Sequence, residues 1–381
     1  MKQKNKTLPE SWKEVELGSV AKFVNGRAFK PEEWETEGKI IIRIQDLTGS
    51  IEKPNYTTQE FDRKYLVKKG DLLISWSATL DAFIWDKEDG WLNQHIFKVE
   101  EDKDLLDHKY LFYFVKRSIE LFKRNIHGST MKHITKKDFD KIKIPLPPLP
   151  VQKKIVSILE RAEKLKQQRA EADKLTQEYL QSVFYEMFMG KDFEVGKLSN
   201  FVDDFIVPQR DKPKVFDGNI PWCRIEDFNG MYLSGSKSGQ YVSEETVEKM
   251  NLRVYPVGTV IVSCSADLGK SAIIKKPLVT NQTFIGLVPS SRLNSLFLYF
   301  YMNNMAKKLN QMATGATITY LSKKKFQELI VKVPPIELQR KFAGIVEKVE
   351  AMKEQQKKSK LEIDNLFNSL MQRAFKGELV R

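Results

Sequence analysis

The chain repeats itself, and the repeat is long. Pro147-Pro-Leu-Pro-Val-Gln-Lys-Lys-Ile155 returns 187 residues later as Pro334-Pro-Ile-Glu-Leu-Gln-Arg-Lys-Phe342. Gly128-Ser-Thr-Met-Lys-His-Ile-Thr-Lys-Lys-Asp-Phe139 returns at the same offset as Gly315-Ala-Thr-Ile-Thr-Tyr-Leu-Ser-Lys-Lys-Lys-Phe326. Nearer the start of each copy, Ile42-Arg-Ile-Gln-Asp46 pairs with Cys223-Arg-Ile-Glu-Asp227 at an offset of 181. Gly70-Asp-Leu-Leu-Ile-Ser75 and Asn93-Gln94 pair with Gly258-Thr-Val-Ile-Val-Ser263 and Asn281-Gln282 at 188. Insertions in loops produce such drift. A unit of nearly half the chain is far longer than a solenoid repeat, so the repeat is a duplicated domain with its connector.

Each copy divides in two. The first part, about residues 12–146 and 192–333, is mixed: short runs such as Lys39-Ile-Ile-Ile-Arg-Ile44, Asp71-Leu-Leu-Ile-Ser75 and Thr259-Val-Ile-Val-Ser263 read as strands. Lys109-Tyr-Leu-Phe-Tyr-Phe-Val115 and Leu296-Phe-Leu-Tyr-Phe-Tyr301 read as buried helices whose aromatics belong to the core. The second part, residues 149–189 and 336–376, reads as one long helix per copy. Val151, Ile155, Ile158, Ala162 and Leu165 keep an alternating spacing of four and three, as do Leu338, Phe342, Ile345, Val349 and Met352. That spacing predicts a heptad seam, turning polar at Arg169 and Gln356. About 40 residues at 1.5 Å each make a rod of about 60 Å. An apolar stripe of that length needs a partner, and the other rod is the obvious one. Gly190 and Gly377 are plausible helix ends.

Composition narrows the function. With 63 Lys+Arg against 50 Asp+Glu, the chain carries +13 and suits an anionic partner. A hydrophobic content of 41% excludes a disordered chain. Two cysteines, Cys223 and Cys264, exclude a disulfide scaffold and point to a reducing compartment. The start has basic residues with no apolar region behind them, and no apolar run approaches a membrane span, so a cytoplasmic protein is expected.

Catalytic tools are missing. No G-x-G-x-x-G or G-x-S-x-G occurs, and Gly269-Lys-Ser271 has Cys264 where a phosphate loop needs its first glycine. His95, His108, His127 and His133 have no cysteines at zinc spacing, so no metal site is expected. The polar positions shared by the copies are Arg43/Arg224, Asp46/Asp227, Ser75/Ser263 and Asn93-Gln94/Asn281-Gln282. They form no nucleophile–base pair, and bracing of the shared fold is the favoured reading. Loops differ more between the copies than strands do: Trp76-Ser-Ala-Thr-Leu80 faces Cys264-Ser-Ala-Asp-Leu268, and Asn25-Gly-Arg-Ala-Phe-Lys30 faces Val207-Pro-Gln-Arg-Asp-Lys212. One frame with two sets of loops implies two different ligand sites. On DNA these would be two short sequences at a fixed distance, read by polar side chains at base edges and held by lysines at phosphates.

Several motifs recur in a fixed order: the Trp12-Lys-x-x-x-Leu17-Gly opening, Gly-Asp-Leu-Leu-Ile-Ser, the Asn-Gln pair, and Gly-Ser-Thr…Ile before Ile144-Pro-Leu-Pro-Pro-Leu. The Pro-Pro-x-x-x-Gln helix start and the ending Ala374-Phe-Lys-Gly-Glu-Leu379 complete the set. In this order, over essentially the whole chain, the sequence resembles the specificity subunits of type I restriction–modification systems. The second copy departs in its shorter proline run at Val333-Pro-Pro-Ile and its opening without tryptophan. The resemblance implies an α+β fold: two homologous mixed α/β target recognition domains in tandem, joined by two long antiparallel helices that form a coiled coil. It places the first recognition domain at 1–148, its spacer helix at 149–190, the second domain at 191–335 and its helix at 336–381. It also implies double-stranded DNA, two methyltransferase subunits and restriction subunits as partners. No cofactor would be bound by this chain; S-adenosylmethionine, ATP and Mg would belong to the partner subunits.

The variable loops then supply the candidate DNA-binding residues. In the first module these are Asn25, Arg27, Lys30, Gln45, Trp76, Ser77, Thr79, Ser129, Thr130, Lys132 and His133. In the second they are Gln209, Arg210, Lys212, Glu226, Ser265, Asp267, Lys270, Thr317, Thr319 and Tyr320. Two other classes compete: a DNA-modifying enzyme (nuclease or methyltransferase) with duplicated sites, and a coiled-coil adaptor that binds only proteins. Covalent change of DNA by the pure chain would favour the first, and absence of binding to any DNA at low salt the second.

Overall fold

The computed structural model describes residues 8–50, 53–77, 80–125, 136–209, 211–228, 230–265, 267–313 and 321–380. The first copy runs β1 (Lys13–Glu16), β2 (Ala21–Asn25), β3 (Lys39–Ile42), α1 (Ile44–Thr48), β4 (Tyr56–Thr57), β5 (Leu66–Val67), β6 (Leu72–Ser75), β7 (Asp81–Ile84), β8 (Gly90–Leu92) and β9 (Ile96–Glu101). It continues with α2 (His108–Asn125), α3 (Lys136–Asp140), β10 (Lys143–Leu146) and the 40-residue α4 (Leu149–Phe188). The second copy runs β11 (Glu194–Lys197), β12 (Val202–Ile206), β13 (Ile220–Cys223), β14 (Tyr232–Leu233), β15 (Tyr241–Val242), α5 (Glu244–Lys249), β16 (Val260–Ser263), β17 (Ser271–Ile274), β18 (Val279–Thr280) and β19 (Phe284–Pro289). It ends with α6 (Ser295–Ala313), α7 (Lys323–Gln327), β20 (Ile330–Val333) and the 39-residue α8 (Ile336–Ala374).

The two copies share the central strand order and differ at the sheet edges, where β5 and β14 have no counterpart among the described strands. In the first, one sheet is ordered β2-β9-β6-β7 and a second β4-β3-β8-β5, while β1 pairs with β10. In the second, the sheets are β12-β19-β16-β17-β14 and β15-β13-β18, while β11 pairs with β20. The strand Leu72-Leu-Ile-Ser75 is buried throughout because it lies between two cores, and its side chains alternate between them. Leu72 and Ile74 face the core that holds Tyr110 and Phe114 of α2, whereas Leu73 faces Ile40, Ile42 and Leu92. In the second copy Val260 and Val262 take one side and Ile261 the other. This double burial is why both strands read as unbroken apolar runs.

By contacts, the chain forms two compact units: residues 1–170 with 358–381, and residues 171–357. The division cuts both long helices. Each unit therefore contains one globular module, the first half of its own long helix and the second half of the other. Within the first unit the two helices run antiparallel: Lys166 pairs with Asp364 at 2.9 Å, and beyond that point Met371, Ala374 and Phe375 join the core of Ile155, Leu159 and Tyr110. Within the second, Gln356 donates to Thr176 Oγ1 at 3.0 Å, and the rings of Phe184 and Phe342 lie 5.5 Å apart.

The seam differs from the heptad reading. Ile155, Ala162, Phe342 and Val349 are buried, and Val151, Ile158, Leu338 and Ile345 are half-buried. Leu165 and Met352, however, are each 46% exposed, while Leu159 and Val346 are buried. The buried line thus steps through Ile155, Leu159 and Ala162 and gives way to the half-exposed Lys166, paired with Asp364. Each helix start packs on its own module as well as on the other helix, and this wider apolar face shifts the count. Polar pairs then hold the middle of each helix.

Gln152 and Gln339 account for the shared Pro-Pro-x-x-x-Gln start. Both are 0% exposed. Gln152 Oε1 accepts from the Asp107 amide at 2.7 Å, and Nε2 donates to the carbonyls of Leu105 and Pro147. Gln339 repeats the pattern with the Asn294 amide and the carbonyls of Arg292 and Pro334. One amide side chain ties the helix start, the preceding prolines and the loop before α2 or α6 together.

At the start of α2, His108 Nδ1 lies 3.1 Å from Glu101 Oε1. The bond to Glu101 raises the imidazole above its ordinary 6.5, against burial. Burial opposes but does not prevent a lowered Glu101, whose carboxylate is held by His108. A raised imidazole contributes its full stability below the unfolded value and loses it as pH rises through the folded one. We therefore expect the first module's melting temperature to fall as pH rises above 6.5. His108→Gln should flatten that slope, and an identical slope in the variant would refute the assignment.

Candidate nucleic-acid interface

In the first module the variable loops converge where the shared polar residues tie strand ends together. In the first module the Asn93 amide donates to the Ile42 carbonyl, the Gln94 amide to Arg27, and the Trp76 amide to His95. The loops after β2, β3, β6 and β8 are thereby fixed to one another. The second module repeats two of these bonds, Asn281 to Cys223 and Cys264 to Thr283. Asn93 Oδ1 accepts from the Gln94 amide, and Asn281 Oδ1 from the Thr283 hydroxyl. Gly26 completes the first cluster: a Cβ there would lie 1.9 Å from the Asn93 carbonyl oxygen, so no larger residue fits.

The other shared pairs also act locally. Asp46 and Asp227 are buried and accept from the amides of Arg43 at 3.0 Å and Arg224 at 2.6 Å, closing the turn after β3 and β13. Ser75 Oγ donates to the Asp81 carbonyl and accepts from the Asp81 amide, and Ser263 Oγ donates to the Ser265 carbonyl. Burial, with Asp227 close by, pushes the Cys223 thiol up to about 12, so it stays protonated and unreactive at neutral pH. Among the described residues no group of three His, Cys, Asp or Glu could hold a metal ion, and no helix is long and apolar enough to cross a membrane.

The structure brings some of the candidate residues together. Asn25 Oδ1 accepts from Trp76 Nε1 at 3.1 Å, and the Trp76 ring stacks on Phe97 and meets His95 edge-on at 4.9 Å. Arg27 is already engaged: it pairs with Glu33 at 2.7 Å, with its guanidinium 4.0 Å from the Phe61 ring centre and 4.7 Å from that of Phe29. Lys30 and Gln45 are exposed, and Ser77 is half-buried beside Trp76. In the second module Lys212 lies over Trp222 at 5.5 Å, Glu226 pairs with Arg224 at 2.9 Å, and Asp267 lies 3.9 Å from Lys270. Gln209 is exposed and Ser265 half-buried. Thr79, Ser129, Thr130, Lys132, His133, Arg210, Thr317, Thr319 and Tyr320 lie outside the described residues.

The sequence weighs His95 only as a metal ligand without cysteines at zinc spacing. Its backbone takes φ 70°, unusual for a residue with a side chain, and its Nδ1 is buried with no hydrogen-bond partner. The only sequence signal was its position directly after Gln94.

A family model for the type I restriction modification DNA specificity domain matches residues 9–175 and again 191–363. The chain belongs to this family. Among its relatives, the type I restriction enzyme EcoBI specificity subunit of Escherichia coli is 22% identical over 98% of this chain and 87% of its own length. The MjaVIII specificity subunit of Methanocaldococcus jannaschii is 24% identical over 98% and 94%. A chain from a solved type I restriction–modification system, described for its complex assembly and conformational transition, superposes with a TM-score of 0.67 at 21% identity, covering 98% of this chain and all of that one. The S subunit from M. genitalium superposes with a TM-score of 0.55 at 16% identity, covering 97% and 98%. These structures share the fold. The two matches of the specificity-domain family fall on the two copies of the repeat, each taking in one module and the start of its long helix.

Proposed function

We propose that this specificity-family chain is the DNA-recognition subunit of a type I restriction–modification complex. In this reading it binds a bipartite, asymmetric site on double-stranded DNA and carries no catalytic centre of its own. Residues 1–148 and 191–335 act as target recognition domains, and the helices at 149–190 and 336–381 set the distance between the half-sites. Two methyltransferase subunits and the restriction subunits assemble on it, and they supply S-adenosylmethionine, ATP and Mg. The setting is cytoplasmic.

The observation that carries this reading is the double family match on two modules with one bracing network and different loops. A shared frame keeps the geometry of binding, while Asn25, Trp76 and Ser77 on one side and Gln209, Lys212 and Ser265 on the other give each module its own chemistry. A net charge of +13 supplies the phosphate term. The enzyme and adaptor readings find no support in the relatives, which are named as specificity subunits.

The test is to co-express the chain with the methyltransferase subunit of its system and map methylated bases across the genome. We expect a split motif with two different halves. Replacing the 76–80 loop should alter one half and leave the other and the spacing unchanged. Single substitutions at base-reading residues should cost about 1–3 kcal/mol and relax one position each. Methylation without a split motif would overturn the reading.

A further inference from the structure

The first unit has a cavity of about 440 Å³ beside α2, walled by Phe112, Phe367 and Met371 and edged by Lys116, Arg117 and Glu163. Its charged edge is almost fully paired. Lys116 holds Asp81 at 3.1 Å, Lys166 holds Asp364 at 2.9 Å, and the Tyr113 hydroxyl donates to Glu163 at 2.6 Å. Arg117 differs. It is half-buried, its Nε has no hydrogen-bond partner, and its guanidinium rests 5.7 Å from the Phe375 ring centre. A guanidinium stays charged in any such setting, and among the described residues no carboxylate pairs with this one, so its positive charge faces an apolar groove.

The second unit does not repeat this. At 187 residues' offset, Lys116 and Arg117 become Asn303 and Asn304. Asn304 accepts from Gln181 at 2.7 Å and donates to the Phe300 carbonyl at 2.8 Å; Asn303 donates to the Tyr299 carbonyl at 2.9 Å. The equivalent place is uncharged and already hydrogen-bonded.

We propose that the groove of the first unit is a docking site for an amphipathic helix of a partner protein, whose carboxylate pairs with Arg117, and that the second unit offers no equivalent. The apolar walls take the flanking side chains of the docked helix, as helix-in-groove recognition requires. Phosphate fits less well, since it would leave Phe112, Phe367 and Met371 uncovered. This rests on the reading above, in which methyltransferase subunits assemble on the chain, and it makes the two assembly positions chemically unequal.

The full-length chain is titrated with the purified methyltransferase subunit of its system, and affinity and stoichiometry are followed by sedimentation velocity. Arg117→Asn, which installs the second unit's residue, should weaken one binding step about 10-fold or more and leave the other unchanged. Arg117→Lys should keep part of the affinity, and Arg117→Glu should be rescued by reversing one acidic residue of the partner. A melting temperature unchanged in Arg117→Asn separates docking from folding. Two binding steps unaltered in both Arg117→Asn and Arg117→Glu overturn the groove inference alone. A wild-type chain that takes up no methyltransferase subunit overturns the functional reading as well.

Discussion

Replacing Gln339 by alanine is expected to destabilise the second module by about 3–5 kcal/mol, although it removes no charge and little apolar surface. The amide side chain serves one N–H and two carbonyls, and the residue is fully buried. After truncation the Asn294 amide and the Arg292 and Pro334 carbonyls lose their partner, and each such buried group costs about 1–3 kcal/mol. Water entering the new cavity recovers part of this. Gln339→Glu should be no milder: its carboxylate could still accept from Asn294 but would face two carbonyl oxygens. Gln152→Ala should affect the first module in the same way, through the Asp107 amide and the Leu105 and Pro147 carbonyls. Urea unfolding of the variants measures the effect, and a loss below about 1 kcal/mol would show that the clamp is dispensable.

This glutamine also marks how far the sequence could be read. Its place in a repeated Pro-Pro-x-x-x-Gln was plain, yet nothing local reveals that two of its three partners lie 45 and 47 residues upstream, in the loops before α2 and α6. Strand runs were legible because β6 and β16 sit between two cores and so consist of apolar residues throughout. The duplication was legible because bracing residues such as Asn93 and Asn281 perform the same backbone task at the same place. Seam register was harder. Leu165 and Met352 continue the four-three spacing, but they lie where polar pairs close the helices and the apolar face has already turned outward. Spacing counts apolar residues and cannot tell which of two neighbours each one meets. Arg27 shows the same limit at the candidate interface, since the Phe61 ring that holds it comes 34 residues later.

Each module takes the second half of the other copy's long helix into its own unit. Removing residues 371–381, at the far end of the sequence, should unfold the first module and spare the second. Met371, Ala374 and Phe375 are 8%, 0% and 4% exposed. All three sit in the first module's core, with the Phe375 ring 5.1 Å from Tyr110 and 5.5 Å from Phe114. Deleting one buried Phe costs about 3–5 kcal/mol and one buried Met about 2–5. The combined loss approaches the roughly 5–15 kcal/mol that holds a domain folded. The second module keeps its equivalents, Phe184 and Phe188 of α4, packed on Phe297 and Phe342. Tryptophan fluorescence separates the two responses, because Trp12, Trp34, Trp76, Trp85 and Trp91 lie in the first module and only Trp222 in the second. Urea unfolding of a chain ending at residue 370 should lose most of its fluorescence change at low denaturant, while Trp222 in a variant lacking the other five keeps its midpoint. If the first module's midpoint stays where it is in the full chain, the exchange of helix ends between modules contributes nothing to its stability.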